Sequence, residues 1–468
     1  MAQKKNQTIT SLVDNYTSYH FSEIKTNRFR HSRLMDALFT FESNPLFKID
    51  ELGKSEEGRS IKGITYGEGK TKVLLWSQMH GNESTATRAI LDILHFLSAN
   101  DSLNPLREQL SKTLTLEFIP MLNPDGSERF QRRTSTEIDM NRDAKALQTP
   151  EGRILESEVN RFKPHFAFNL HDQRRFYNVT GTGVPSSMSF LAPAYEPGRK
   201  INATRKKSMQ IIAGMNKVLQ KLIPGRVGLY DDTYSHRSFG DNIQAKGIST
   251  ILVESGWMHN DMEKEGIRKL NFISILYALE LIASDGFSEI KVDEYQKIPA
   301  IDTKLFDVLI SNASLSGKSI SKLDIGINRT EHLLEHPEYF AKGQIDDLGD
   351  LSSFFGFETI DAKGLTIVPG RSVVLESYDQ LSMVTVKRWL RQGVLFVVTK
   401  DIPFEKHVPY PINIVHPRKL PMLQKPVFEG SADFLMVDKS NKIRHIVMNG
   451  FPMTPSKPLS NVNGLVIA

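Results

Sequence analysis

The 468-residue chain reads as an α/β sheet with helices on both faces, followed by a smaller β-rich domain. Three observations predict this. Short apolar runs (Val73–Trp76, Leu114–Leu122, Phe166–Leu170 and Ser249–Val253) alternate with stretches of helical periodicity, the pattern of a sheet with crossover helices. Polar residues able to do chemistry fall just past the ends of those runs, where open α/β sheets bind ligands. From about Asp302 the sequence changes to short β-rich runs with frequent glycines and little helical pattern.

Length alone calls for two domains, since a single core rarely grows beyond about 250–300 residues. The domain boundaries read as 1–290, with a helical lead-in of about 50 residues, and 300–468. There is no cysteine, which excludes disulfides and thiolate metal sites and leaves the compartment open. The N-terminus has no apolar signal-peptide core, and no apolar run approaches the roughly 20 residues of a membrane helix, so a cytoplasmic protein without membrane partners is expected. A net charge of +5 is mild for this size and reads as a solvated surface, with no nucleic-acid partner implied.

In chain order, residues 8–47 are mostly helical and loop-like, and Gly53-Lys54-Ser55-Glu56-Glu57-Gly58-Arg59-Ser60-Ile61 is a polar turn entering a strand. Val73–Trp76 is a buried strand breaking into a loop with His80 and Glu83, after which Ala86, Ile90, Leu94 and Leu97 mark a helix. Asn104-Pro105 starts a short helix, and Leu114–Leu122 is a strand stopped by the turn residues Asn123-Pro124-Asp125-Gly126. An arginine-rich loop carries Arg129, Arg132 and Arg133 to Asp139-Met140-Asn141-Arg142-Asp143. Thr149 caps a helix with Pro150 in its first turn, ending near Phe162 ahead of Pro164. Phe166–Leu170 then delivers His171-Asp172. Residues 199–222 form a long, lysine- and arginine-rich helix with a solvated face. Ser249–Val253 ends in Glu254-Ser255-Gly256, and Phe272–Ala283 closes the domain as a helix.

An imidazole and a carboxylate three residues apart at a strand end point to one divalent metal, and nitrogen with oxygen donors suits zinc. The pattern H-x-x-E occurs three times, at His20, His80 and His332, so context must choose. Only His80-Glu83 is accompanied by further strand-end groups, His171 and Glu254.

This constellation, over roughly residues 50–285, resembles the zinc carboxypeptidases, the M14-type metallopeptidases. The shared motifs come in the family's order: G-x-S-x-x-G-R-x-I, H-G-N-E, N-P-D-G, D-x-N-R, a strand ending in His and one ending in Glu. The resemblance implies a mixed sheet of carboxypeptidase type and one zinc ion held by His80, Glu83 and His171. It implies Glu254 as general base, Arg132 (rather than its neighbour Arg133) as the oxyanion-stabilising arginine, and Asn141 with Arg142 as the clamp for a substrate carboxylate. Asp139 takes the place of the carboxylate behind the first histidine ligand, and Tyr234 that of a substrate-side tyrosine, with Tyr230 close by. Asp143 stands where relatives often have Asn. The implied function is a hydrolase and metallopeptidase cleaving C-terminal peptide bonds. Its alternatives are an amidase or deacylase acting on cell-wall or N-acyl amides, and a non-catalytic peptide-binding module. The partner is therefore a peptide or an acyl amino acid.

His332-Leu333-Leu334-Glu335-His336 also spells an inverted zincin motif, but that chemistry needs a helix, and Pro337 opposes one. His20 reads as packing. In the second domain, the runs at 305–312, 360–370 and 432–438 weakly resemble the β-sandwich strands flanking the barrel of amidohydrolases. Pro369-Gly370 is followed by Arg371-Ser372-Val373-Val374 and not by a metal motif. The expectation is a small sandwich without chemistry of its own, which packs on the enzyme by default; homodimerisation through it and substrate binding are the alternatives.

Overall fold

The computed structural model describes residues 9–315, 322–334, 338–419, 426–457 and 464–467. The chain divides into two compact units, Met1–Thr303 and Lys304–Ala468.

The first unit is built on an eight-stranded sheet. Its strands are Phe47–Lys54 (β1), Ser60–Tyr66 (β2), Thr71–Ser77 (β3), Leu114–Ile119 (β4), Phe166–Asp172 (β5), Met188–Leu191 (β7), Val227–Leu229 (β8) and Ser249–Ser255 (β9). Asn178–Val179 (β6) pairs separately with Ile301–Asp302 (β10). The order β1-β2-β4-β3-β5-β9-β7-β8 has a parallel centre, β4-β3-β5-β9, flanked by antiparallel neighbours β2 and β7. The sheet is thus mixed, as the α/β reading with this resemblance requires.

Alternation along the central strands explains the helices on both faces. Val73 and Leu75 of β3, with Phe166, Phe168 and Leu170 of β5, face one apolar layer. That layer is filled by Thr85–Ser98 (α2), Asn104–Thr113 (α3), Ala203–Leu222 (α6) and Glu265–Ala283 (α8). Leu74, Trp76 and Ala167 face the opposite layer, with Leu155, Val159 and Phe162 of Pro150–Phe162 (α5) and Phe239 and Ile243 of Phe239–Ala245 (α7). Thr149 caps α5, its side chain accepting from Gly152 N. The arginine- and lysine-rich helix expected at 199–222 begins at Ala203, where Asn202 supplies the cap by accepting from Arg205 N.

The N-terminal segment is fastened by a buried charge. The Asp92 carboxylate on α2 pairs with Arg268 of α8 at 2.6 Å, and neither side chain is exposed. It also accepts from Tyr16 Oη and Phe21 N, so the helical turn Tyr16–Tyr19 and the chain after it are held across the sheet's first layer. His20 bonds Glu265 at 2.9 Å and lies edge-on to Tyr16, a packing role.

Among its described residues the second unit holds two sheets. One is the path β13-β12-β11-β15-β20-β21-β22 with β14 added beside β11, formed by Leu305–Leu315 (β11), Leu323–Leu333 (β12), Tyr339–Gly349 (β13), Phe355–Asp361 (β14), Thr366–Val368 (β15), Phe434–Val437 (β20), Ile443–Met448 (β21) and Phe451–Met453 (β22). The other has order β16-β17-β19-β23-β18, from Arg371–Val374 (β16), Val394–Val398 (β17), His407–Val408 (β18), Asn413–Val415 (β19) and Gly464–Ile467 (β23). Here β16, β17, β19 and β23 run parallel, and the helix Met383–Arg391 (α9) makes the first crossover. Sequence reading found little helix here. The helix is only nine residues long, started by the Ser382 side chain accepting from Thr385 N. Leu435, Ile446 and Met448 of the first sheet share one apolar cluster with the second. His332 lies on strand β12, opposite Phe340, and not on a helix; Glu335, His336 and Pro337 of the inverted zincin pattern lie outside the described residues.

Candidate active site

Four loops meet at the carboxyl edge of the parallel strands, and glycine decides how closely. Gly81 of the H-G-N-E loop packs backbone to backbone on Gly126, in the middle of the short helix Pro124–Glu128 (α4); a Cβ on Gly81 would lie 2.0 Å from Gly126 C. Asn123 closes the contact by accepting from Gly126 N and donating to Met79 O. Asp125 is fully buried and accepts from Ser55 Oγ (2.6 Å), Glu57 N (2.9 Å) and Arg59 Nη1 (2.8 Å). The G-x-S-x-x-G-R and N-P-D-G motifs are therefore one latch, which sets the height of the loop that carries His80 and Glu83.

His80, Glu83 and His171 converge: one donor atom from each lies within 4.8 Å of the others, and all three residues are buried. Glu83 Oε1 is 2.8 Å from His80 Nδ1, and Oε2 is 2.8 Å from His171 Nδ1. His80 Nε2 faces Asp139 Oδ1 at 3.1 Å. A proton on Nε2, donated to Asp139, leaves the Nδ1 lone pair turned inward. That Nδ1 is buried and, despite its nearness to Glu83, has no aligned hydrogen bond. An orphaned imidazole nitrogen beside a carboxylate and a second imidazole is the donor set of a divalent metal, and these residues fit one.

Electrostatics follow from burial and neighbours. Burial alone would raise the Glu83 carboxyl, but His80 and His171 hold it well below the carboxylate range. Burial disfavours charge on His80, yet Glu83 and Asp139 outweigh it and raise the group. His171 lacks the second carboxylate, so burial prevails and lowers it. Asp139, though half-buried, is pulled down by His80, Arg132 and Arg142.

Glu254 sits on β9 in register with His171 on β5. Burial pushes its carboxyl well above the usual range, with Glu83 and Asp172 adding to the shift and Arg132 and Lys264 opposing it. Among the described residues no group donates a hydrogen bond to it. Its neighbour Asp172 is held by Thr85 Oγ1 (2.5 Å) and Lys264 Nζ (3.0 Å), partners that sequence reading did not single out.

Arg132 reaches the site, with Nη1 3.0 Å from Glu83 Oε1 and Nε 3.2 Å from Asp139 Oδ2. Arg133 turns away to Glu137 O. Asn141 accepts from Phe239 N at the start of α7 and approaches His171 Nε2 at 3.4 Å. Arg142 donates to Asn141 O and Ser238 Oγ. Asp143 is no ion-pair partner for it: its carboxylate receives Gln148 N, Thr149 N and Thr149 Oγ1, which shapes the entry to α5. Tyr234 lies on the loop before α7, whose Ser235 N is pinned by Asp241. Tyr230 bonds Tyr177 Oη at 2.9 Å, and its hydroxyl pKa is raised by burial and by Glu254, so Tyr230 is the tyrosine within electrostatic reach of that carboxylate.

Residues 34–179 match the family described as zinc carboxypeptidase (Peptidase M14), a span that contains every candidate above from His80 to His171 and stops short of Glu254. The match lies within the first unit and covers less than half of the chain. Carboxypeptidase 2 of Trichophyton tonsurans is 28% identical over 185 residues, covering 37% of this chain and 32% of the relative. Carboxypeptidase D of Homo sapiens is 25% identical over 147 residues, covering 27% of this chain and 11% of the relative. The chain thus spans about a third of the length of the first of these relatives, and less of the second. Among solved structures, a metallo-carboxypeptidase from Burkholderia cenocepacia aligns with a TM-score of 0.45 at 18% identity, covering 55% of this chain and 70% of that one. Among the described residues no helix is long and apolar enough to cross a membrane.

Proposed function

We propose that this chain is a zinc-dependent carboxypeptidase that hydrolyses the C-terminal peptide bond of peptides. The observation that carries the reading is the meeting of the His80-Glu83-His171 donor set with Glu254 in cross-strand register to His171. A zinc ion held by the three donors supplies a Lewis acid for the scissile carbonyl and for the attacking water.

The chain's own residues do the rest. Arg142 binds the substrate's terminal carboxylate, its guanidinium oriented by Asn141 O and Ser238 Oγ. Asn141 stands beside it, and Arg132 offers its fork to the charge that develops on the carbonyl oxygen. Glu254, buried beside the donor set, takes a proton from the attacking water and passes it to the leaving amine; the upward shift of its carboxyl makes its carboxylate the stronger base in the first step. Asp139 keeps His80 in the tautomer that presents Nδ1. Tyr230 and Tyr234 contribute from the substrate side.

The test is hydrolysis of blocked peptides with free or amidated C-termini, with and without chelation, by wild type and Glu254→Gln. Free C-termini are cleaved, chelation abolishes this and added zinc restores it. Glu254→Gln keeps its zinc and loses roughly 10²–10⁴-fold in turnover. Chelator-resistant cleavage, equal cleavage of amidated peptides, or a Glu254→Gln rate within a few-fold of wild type would each defeat the proposal.

A further inference from the structure

Among the described residues nothing donates a hydrogen bond to the Glu254 carboxylate, so its aim depends on how the end of β9 is held. The next residue carries the anchor. Ser255 is the cross-strand partner of Asp172 on β5, and its O accepts from Gln173 N at 3.0 Å and from Lys264 Nζ at 3.3 Å. The same ammonium donates to Asp172 Oδ2 at 3.0 Å, where Thr85 Oγ1 also arrives at 2.5 Å. Asp172 follows His171, and Thr85 opens α2 two residues after Glu83. One cation thus ties the strand that delivers His171 to the strand that delivers Glu254.

Building the helix does not explain a lysine at this position. Lys264 precedes α8 with φ +53°, in the left-handed region where a glycine carries no steric cost. It does not cap the helix: Asp261 accepts from Glu265 N, Gly266 N and Ile267 N instead. Its side chain is only 12% exposed, although lysines rarely leave solvent without a paired use. The turn is also clamped from outside. Glu263 accepts from Asn27 N at 2.7 Å and Thr26 Oγ1 at 3.0 Å, residues that precede the matched span 34–179. A fixed turn therefore presents a half-strained, largely buried ammonium at the junction of the two strand ends.

We infer that Lys264 is a positioning residue for the hydrolysis, which sets the end of β9 against the end of β5 so that Glu254 faces the attacking water beside the His80-Glu83-His171 set. This deepens the carboxypeptidase reading and rests on it. The metal donors have supports of their own: Asp139 behind His80, the Gly81–Gly126 contact beneath the loop, and Thr85 on Asp172. Loss of Lys264 therefore moves the base relative to the donors and leaves the donor set assembled. Arg142 stands on a different loop, held by Asn141 O and Ser238 Oγ, so binding of the substrate carboxylate is untouched. The signature is a fall in kcat at constant KM and constant zinc affinity.

The experiment uses the full-length protein and a blocked dipeptide with a free C-terminus. Lys264→Met keeps the apolar stem and removes the ammonium. Lys264→Gly removes the whole side chain and relieves the left-handed backbone, which keeps the test open where the Met variant fails to fold. With zinc bound, kcat falls roughly 10–100-fold in both variants, since a misplacement near 1 Å costs about 10²-fold, while KM stays within a few-fold of wild type. Zinc affinity by chelator competition matches wild type. In the apo-proteins, where turnover plays no part, the Gln173 amide that shares Ser255 O exchanges its hydrogen faster than in wild type. A kcat within a few-fold of wild type in the folded variants overturns the inference and leaves the carboxypeptidase reading intact. Joint loss of zinc affinity and activity also overturns it, by making Lys264 a support of the metal site, and a rise in KM alone does so by making it a substrate contact. No cleavage of any peptide by zinc-loaded wild type removes both readings together.

Discussion

Replacing Gly81 by Ala tests the latch beneath the metal donors. Gly81 is not in the left-handed backbone region, so the change adds a clash without backbone strain. The new Cβ would meet Gly126 C at 2.0 Å and Ser127 N at 2.2 Å, whereas ordinary contact starts at 3.4 Å; the shortfall is 3.4 − 2.0 = 1.4 Å. Gly126 cannot retreat, because Asn123 grips its amide and Asp125 is held by Ser55, Glu57 and Arg59. The displacement falls on His80 and Glu83, one and two residues away. Metal donors tolerate about 0.2 Å of error, so a shift several times larger weakens the site. The expectation is a 10–100-fold loss of zinc affinity, comparable to loss of a group that orients a ligand. Overpacking also costs about 1–3 kcal/mol of stability. Competition titration with a chromophoric chelator reads the first, and urea unfolding of the apo-protein the second. Wild-type zinc affinity in a folded Gly81→Ala protein would refute the argument that this contact sets the site.

Three further outcomes follow from named groups. Arg142→Ala should cost roughly 2–5 kcal/mol in kcat/KM on peptides with a free C-terminus and far less on amidated ones; equal losses exclude a carboxylate clamp. Glu117, buried against Glu158 and Arg161, has its carboxyl pushed up to about 7 from 4.5, chiefly by burial. Its contribution is fully present below pH 4.5 and is lost as pH rises through about 7, a cost on the order of 3 kcal/mol. Glu117→Gln should therefore gain stability relative to wild type between pH 5 and 8 in urea titrations, and a difference independent of pH would reject this. Asp92→Asn leaves Arg268 buried without its charge partner and should cost about 3–5 kcal/mol, with early proteolysis of the Tyr16–Phe21 segment; a loss under 1 kcal/mol would show that the segment is held otherwise.

The converging donor set of the candidate site was legible because its groups announce themselves locally. His80-Gly81-Asn82-Glu83, His171 and Glu254 each stand where an apolar run stops, and strand ends can be read from hydrophobicity alone. The choice between Arg132 and Arg133 was harder, since adjacent loop residues differ only in direction; the fold sends Arg132 to Glu83 and Arg133 to Glu137. Tyr234 and Tyr230 pose the same difficulty, and only packing brings Tyr230 near Glu254. The short strands β7 and β8 and the crossover helix α9 carry too few residues for periodicity to speak.

What the sequence by itself determined is the central strands of the first unit with the helices between them, and the candidate groups at their ends, because burial patterns of period 2 and 3.6 are local properties of the chain. What only the tertiary structure decided is which groups meet. Glu83 and His171 lie 88 residues apart in sequence, yet their side chains approach to 2.8 Å. Ser55 and Asp125, 70 apart, make one latch. Such contacts depend on sheet order and on how closely two backbones approach, and no local pattern encodes either. For the same reason the sequence showed Gly81 and Gly126 only as small residues, and the fold alone shows that they permit a close backbone contact.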